Sequence, residues 1–150
     1  MKRMHLHVSV EDINKSIGFY NSLFGATPTV SKPDYAKWML DDPLVNFAIS
    51  KRGATPGLDH IGIQVESDTE LSEIKERLEK AELSLLTQEG TTCCYAKSDK
   101  HWVQDPSGIA WETYRTLDTA PTFNGQENTE SNSACCAPAT QSVQFISRKK

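Results

Sequence analysis

The sequence predicts an α+β fold: two βαβββ modules packed into one curved mixed sheet around a central cavity, followed by a flexible C-terminal tail. The first sign is an internal repeat that lays His5-Leu6-His7-Val8-Ser9-Val10-Glu11 over His60-Ile61-Gly62-Ile63-Gln64-Val65-Glu66. The second is that each copy is followed by an amphipathic helical pattern and then by short strand-like runs. The third is a composition change at Asp118, after which Thr, Ser, Asn, Gln, Pro and Gly dominate and too little apolar surface is left to offset the entropy of ordering. Residues 1–117 are expected to form the body, with modules at about 4–52 and 58–117, and residues 118–150 the tail.

The elements follow in order. Leu6, Val8 and Val10 alternate with polar residues, as do Ile61, Ile63 and Val65, so period two puts the apolar set on one face and the histidines on the other. Ile13, Ile17, Tyr20 and Phe24 recur at helical spacing, with Asp12 as the N-cap and Gly25 as the C-cap. The second helix carries Leu71, Ile74, Leu78 and Ala81 behind Asp68 or Thr69. Strand character runs over residues 35–40 and 45–50 in the first half, and over 83–87, 92–97, 102–104 and 110–115 in the second. Pro33-Asp34, Asp41-Asp42-Pro43 and Asp105-Pro106-Ser107-Gly108 supply turns, and residues 88–92 read as a mobile polar loop. A curved sheet of this size cannot bury its apolar face alone, so the modules should pack together and leave their concave faces around a shared cavity.

Composition narrows the function classes. With 150 residues, 37% hydrophobic, the chain can build one core. The net charge is -4 and the only basic cluster is Arg148-Lys149-Lys150, so no stripe exists to neutralise a phosphate backbone and nucleic acid is not an expected partner. After Met1-Lys2-Arg3 the residues alternate instead of forming the apolar run of a signal peptide or membrane span, which predicts a cytoplasmic protein with no membrane partner. The 4 cysteines form two adjacent pairs, the wrong spacing for a disulfide framework and consistent with reduced thiols. Val143-Gln144-Phe145-Ile146 is the tail's apolar patch, suited to docking on the body or on a second copy in a homodimer.

His5 and His60 hold matching repeat positions, and Glu112 falls on the terminal strand, where one barrel could gather them. Two imidazoles and a carboxylate leave about three octahedral positions open, enough for dioxygen and a substrate atom on Fe(II). Zinc, nickel, manganese and cobalt suit the same ligands, and the alternative is that strand histidines simply bond locally. Cys93-Cys94 is a vicinal dithiol, which prefers soft elements such as trivalent arsenic; its alternative is a pair of small buried hydrophobes. Strand neighbours point to opposite faces, so both sulfurs reach one atom only if the backbone bends there. His7 shares a face with His5, and Tyr95, His101, Tyr114 and Arg115 are candidates to orient substrate or support the ligands. Cys135 and Cys136 could capture an arsenical and pass it to the inner pair through the tether.

The pattern His-x-x-x-x-Val-x-Asp from His5 to Asp12, the helix end Phe19-Tyr20-Asn21-Ser22-Leu23-Phe24-Gly25, Leu58-Asp59-His60-Ile61-Gly62, and Asp105-Pro106-Ser107-Gly108 ahead of Glu112 together resemble the vicinal oxygen chelate superfamily. Thr92-Cys93-Cys94-Tyr95-Ala96, with Asp99-Lys100, Trp102-Val103 and Trp111-Glu112-Thr113-Tyr114, is similar to its branch of cadmium-induced proteins and organoarsenical carbon-arsenic lyases. The resemblance implies an Fe(II)- and O2-dependent enzyme that cleaves methyl or aryl groups from a trivalent organoarsenical. It implies His5, His60 and Glu112 as metal ligands and Cys93 and Cys94 as the thiols that hold substrate. The branch often carries glutamine where this chain has His5. A glyoxalase-type site would add a carboxylate near Phe47, and none is there. Two rival expectations stand beside it. One is a fosfomycin-type thiol transferase using a divalent metal as Lewis acid, with Lys97, Lys100 and Arg115 as phosphonate anchors. The other is a non-catalytic protein that binds cadmium, arsenic or an antibiotic.

Overall fold

In the computed structural model, which describes residues 1–121, the first module comprises β1 (Arg3–Ser9), α1 (Ile13–Phe24), β2 (Val30–Lys32), β3 (Tyr35–Asp41) and β4 (Leu44–Ser50). The second comprises β5 (Gly57–Val65), α2 (Asp68–Lys80), β6 (Leu86–Cys93), β7 (Ala96–Gln104) and β8 (Ala110–Thr119). All strands join one 8-stranded mixed sheet in the order β2-β3-β4-β1-β5-β8-β7-β6, curled into a half-barrel, as the repeat predicts. β1 runs parallel to β4 and β5 parallel to β8, while β1 and β5 meet antiparallel at the centre. There His5 lies opposite Gly62 and His7 opposite His60. Because the repeat maps His5 onto His60 and His7 onto Gly62, these two pairs exchange under a local two-fold through the Leu6–Ile61 pair.

Period-two alternation assigns the faces. Leu6, Val8 and Val10 pack with Ile13, Ile17, Tyr20 and Phe24 of α1 over Trp38, Phe47 and Ile49. Ile63 and Val65 pack with Leu71, Ile74 and Leu78 of α2. Full burial of a side chain such as Leu71 or Ile74 contributes about 1.5–3 kcal/mol, so these two anchor α2 to the sheet. Asp12 caps α1 by accepting the Lys15 N–H at 3.0 Å, and Gly25 ends it at φ 62, as expected. The cap of α2 is Ser67, not Asp68 or Thr69. Its hydroxyl accepts the Glu70 N–H at 3.2 Å, which leaves Asp68 and Glu70 in the first turn, where the helix dipole favours negative charge.

The second module departs from expectation at its outer hairpin. Residues 92–97 are not one strand: β6 ends at Cys93, β7 starts at Ala96, and Cys94 and Tyr95 make the turn at φ 53 and φ 61. Two central residues at positive φ match the right-handed twist of the flanking strands, but Cys-Tyr lacks the Asn-Gly signature that usually marks such a turn. Residues 88–92, expected as a mobile loop, lie inside β6, where Gly90 at φ 58 sits in a register irregularity between Gln88 and Thr91. β7 is continuous through residues 96–104, β2 is an additional short strand, and β8 reaches Thr119. Cys135, Cys136 and the Val143-Gln144-Phe145-Ile146 patch lie outside the described residues. Among the described residues no helix is long and apolar enough to cross a membrane.

Gly62 is required where β5 pairs with β8. A Cβ at that position would occupy the space of the Glu112 backbone carbonyl, an obstacle that no side-chain rotation relieves. Gly62→Ala is therefore expected to cost about 1–3 kcal/mol through overpacking and to displace Glu112. A lower denaturant midpoint together with weaker divalent-metal binding is the expected result; a variant unchanged in both would contradict this packing.

Candidate metal centre

Three neighbouring central strands, β1, β5 and β8, bring His5, His60 and Glu112 to one point on the concave face. His5 Nε2 lies 3.1 Å from His60 Nε2, and each nitrogen lies 3.6 Å from Glu112 Oε2. Ligand bonds of about 2.0–2.2 Å place adjacent donors about 3.0–3.6 Å apart, so the triangle has the size that one divalent ion needs. The ring orientations agree. His5 Nδ1 is 3.1 Å from the Asn46 carbonyl oxygen and His60 Nδ1 is 2.6 Å from Asp59 Oδ1. Both partners accept, so each Nδ1 carries the proton and each Nε2 turns a lone pair inward. Two buried lone pairs and a carboxylate facing one another repel unless a proton or a metal ion lies between them.

Burial sets the electrostatics. Burial pushes His5 down to about 4 and His7 down to about 3, which keeps both neutral and available as donors. His60 is also buried, but the Asp59 and Glu112 carboxylates override that and raise it. Burial alone would raise Glu112; Lys100 and the two imidazoles instead hold it well below the usual carboxylate range. Lys100 Nζ donates to Glu112 Oε1 at 2.6 Å with only 4% of its side chain exposed, which leaves Oε2 facing the imidazoles. Asn46 donates through Nδ2 to the Tyr114 hydroxyl at 2.6 Å and to Gln64 Oε1 at 2.8 Å, closing the floor of the site. The Trp102 ring stands edge-on to His60 at 5.0 Å.

The thiols line the same cavity. His5, His60, Glu112, Lys100, Cys93 and Cys94 all border a space of about 40 Å³. Cys93 Sγ and Cys94 Sγ are 3.2 Å apart and not bridged. The hairpin turn at Cys94 supplies the bend that lets neighbouring side chains converge. Two thiolates at a right angle on an ion with bonds of about 2.3 Å would be about 3.3 Å apart, so the pair is spaced to chelate one soft atom. Cys93 packs on Tyr35 and Ala48 of the first module. Tyr95 secures the turn by donating its hydroxyl to Asp34 Oδ1 at 2.7 Å, and the Ala120 N–H donates to the Tyr95 carbonyl at 2.7 Å.

The other expected residues divide between the faces. Tyr114 and His7 border the cavity. Tyr95 belongs to the turn that carries the thiols. His101 does not line the cavity. The alternation of β7 sends Ser98 and Lys100 inward and His101 to the opposite face, where its Nδ1 shares a hydrogen bond with Thr87 at 2.9 Å and it senses Lys75 and Glu79 of α2. Arg115 points the same way, pairing with Asp68 at 2.8 Å and Asp99 at 3.8 Å. Sequence reasoning gave no role to Asn46, Asp59 or Ser50, and took Lys100 only as a phosphonate anchor. The signals existed: Asn46 is a polar residue within an apolar strand, Asp59 adjoins His60, and Lys100 is in phase with Ser98 and Trp102.

The family model for the Glyoxalase/Bleomycin resistance protein/Dioxygenase superfamily matches residues 2–113. The chain is 41% identical to a trivalent organoarsenical cleaving enzyme of Bacillus sp. (strain MD1), covering 95% of this chain and 94% of that protein. It is 34% identical to one of Thermomonospora curvata, covering 92% and 90%. It is 36% identical to the cadmium-induced protein CadI of Mycobacterium tuberculosis, covering 91% and 93%. Two solved structures share the fold at low identity. A variant of homoprotocatechuate 2,3-dioxygenase from Brevibacterium fuscum has a TM-score of 0.60 at 15% identity, over 84% of this chain and 35% of that one. The Mn(II)-bound glyoxalase from Novosphingobium aromaticivorans has a TM-score of 0.57 at 13% identity, over 85% and 44%.

The donor set suits a divalent metal ion, and the Asp59–His60 bond orients one of its imidazoles. Asp59→Asn, which keeps the shape and removes the charge, is expected to weaken Mn(II) or Co(II) binding by about 10–100-fold in equilibrium dialysis. Unchanged affinity would show that Asp59 has no part in presenting His60.

Proposed function

Because the chain belongs to the Glyoxalase/Bleomycin resistance protein/Dioxygenase superfamily, whose scaffold here gathers two imidazoles and a carboxylate, we propose that it is an Fe(II)- and O2-dependent carbon-arsenic lyase. It removes methyl or aryl groups from trivalent organoarsenicals and so serves arsenical detoxification, in the cytoplasm. The observation that carries this reading is the cavity bordered on one side by His5, His60 and Glu112 and on the other by Cys93 and Cys94. Relatives at 41% and 34% identity bear the name trivalent organoarsenical cleaving enzyme, which supports the substrate.

His5, His60 and Glu112 would hold the iron, which when bound supplies redox activation of dioxygen at the carbon-arsenic bond. The remaining work falls to the chain. The thiols of Cys93 and Cys94 replace two hydroxyls on arsenic and release two waters, forming two arsenic-sulfur bonds that orient the organic group toward the metal side. The Lys100 ammonium, bonded to Glu112 and bordering the same cavity as both sulfurs, sits between the two halves of the site. Tyr35 and Tyr114, both buried, wall the space and limit water. Once the organic group has left oxidised, two waters hydrolyse the arsenic-sulfur bonds, their oxygens going to arsenic and their protons to Cys93 and Cys94, and arsenite departs. Zinc, nickel, manganese or cobalt can occupy the same donors, so metal identity is a matter for direct measurement.

Lys97, Lys100 and Arg115, the anchors expected for a fosfomycin-type thiol transferase, do not converge as a set on the cavity. Lys100 is committed to Glu112, Arg115 pairs with Asp68 and Asp99 on the helix side, and Lys97 is exposed.

The test is anaerobic reconstitution with Fe(II), then a methyl or phenyl trivalent arsenical with and without oxygen. Arsenite is expected only with oxygen, and Cys93→Ser should lower its release at least about 100-fold by leaving arsenic on one tether. Arsenical that stays bound without turnover would indicate a sequestering protein; full activity of Cys93→Ser would remove the thiols from the mechanism.

A further inference from the structure

The local two-fold exposes an asymmetry in the donor positions. Gly62 of β5 pairs with Glu112 of β8 in the second module, and His7 of β1 pairs with Ala48 of β4 in the first. The repeat sets His7 on Gly62 and therefore Ala48 on Glu112. Each module thus carries one donor and one residue without any, but the donor has changed strands. Ala48 is fully buried, and His7 beside it is 1% exposed. The His7 ring is 4.8 Å from that of His60 and 6.3 Å from that of His5. One nitrogen from each of the three rings lies within 4.8 Å of the others.

We propose that His7 is a fourth protein donor to the metal, supplied from β1 in place of the donor that Ala48 lacks on β4. The inference rests on the reading of His5, His60 and Glu112 as ligands. All three imidazoles are then presented in one manner, by a tether at one ring nitrogen. The Asn46 carbonyl holds His5 Nδ1 at 3.1 Å, Asp59 holds His60 Nδ1 at 2.6 Å, and the Ser50 hydroxyl holds His7 Nε2 at 2.8 Å. Such tethers fix which nitrogen faces an ion. The nitrogen that Ser50 leaves is the one assigned to the metal. Opposite corners of an octahedron with bonds of about 2.1 Å are about 4.2 Å apart, so three rings that each bring one nitrogen within 4.8 Å of the others need only a small shift or ring rotation to share an ion. With four protein donors the ion keeps about two open positions, still enough for dioxygen and one further ligand, and a nitrogen-rich set shifts preference away from magnesium and manganese.

Proton NMR of the Co(II)-loaded full chain decides the matter without any assay of turnover. A metal-bound imidazole retains one N–H on its other nitrogen, which appears as a strongly shifted signal that vanishes in D2O. Three such signals are expected in the wild-type chain and two in His7→Gln, with Co(II) affinity at least about 10-fold weaker in the variant. Two signals in the wild type overturn the proposal and leave His5 and His60 as ligands. The wild-type count stands whether or not His7→Gln folds. No shifted signal at all would sink the three-residue site and the fourth donor together.

Discussion

The antiparallel pairing of β1 with β5 is the constraint from which the rest of the site follows. It joins two modules that cannot bury their apolar faces separately, and it places His5 and His60 about a local two-fold, both on the concave face. With the pairing set, the parallel partners β4 and β8 have little freedom. They bring Asn46 and Glu112 alongside the imidazoles at register positions that a slip of one residue would turn to the opposite face. The 3.1 Å gap between the two Nε2 atoms is the chemical result: an arrangement that needs a proton or a cation between its donors and has the right size to clasp a metal ion.

The same scaffold explains how the hard and soft halves of the site stay distinct. The imidazoles and Glu112 sit mid-strand in the central part of the sheet, where neighbours on both sides hold them. The thiols sit at the tip of the β6–β7 hairpin, which bends over the first module and rests on Tyr35 and Ala48. Lys100 connects the two, its ammonium bonded to Glu112 while it borders the same cavity as Cys93 and Cys94. A buried lysine is tolerated because it is fully paired; removing Glu112 would strand its charge in the interior.

Much of this organisation was legible from the sequence, and the failures have physical reasons. The repeat, the alternation of Leu6, Val8 and Val10, and the helical spacing of Ile13, Ile17, Tyr20 and Phe24 report local periodicity, which the fold respects. Residues 92–97 misled because Cys94 and Tyr95 adopt positive φ without glycine or asparagine, so the turn left no compositional trace. His101 misled because both faces of β7 carry polar residues: Ala96, Ser98 and Lys100 alternate inward and His101 outward, a phase that residue types alone do not reveal. Asn46, Asp59 and Ser50 were hard to see for another reason: each acts by a bond to a ring nitrogen on its own or a neighbouring strand, a relation that exists only once the sheet is assembled.

The proposed chemistry requires one cavity to hold both a divalent ion and a thiol-bound arsenic atom. A crystal grown without oxygen from chain loaded with Fe(II) and methylarsenite, with anomalous scattering recorded at the iron and arsenic edges, tests this most directly. An iron peak among His5, His60 and Glu112 and an arsenic peak bonded to Cys93 and Cys94 across the same space are expected. Arsenic bound elsewhere, or iron absent from those three residues, would contradict it.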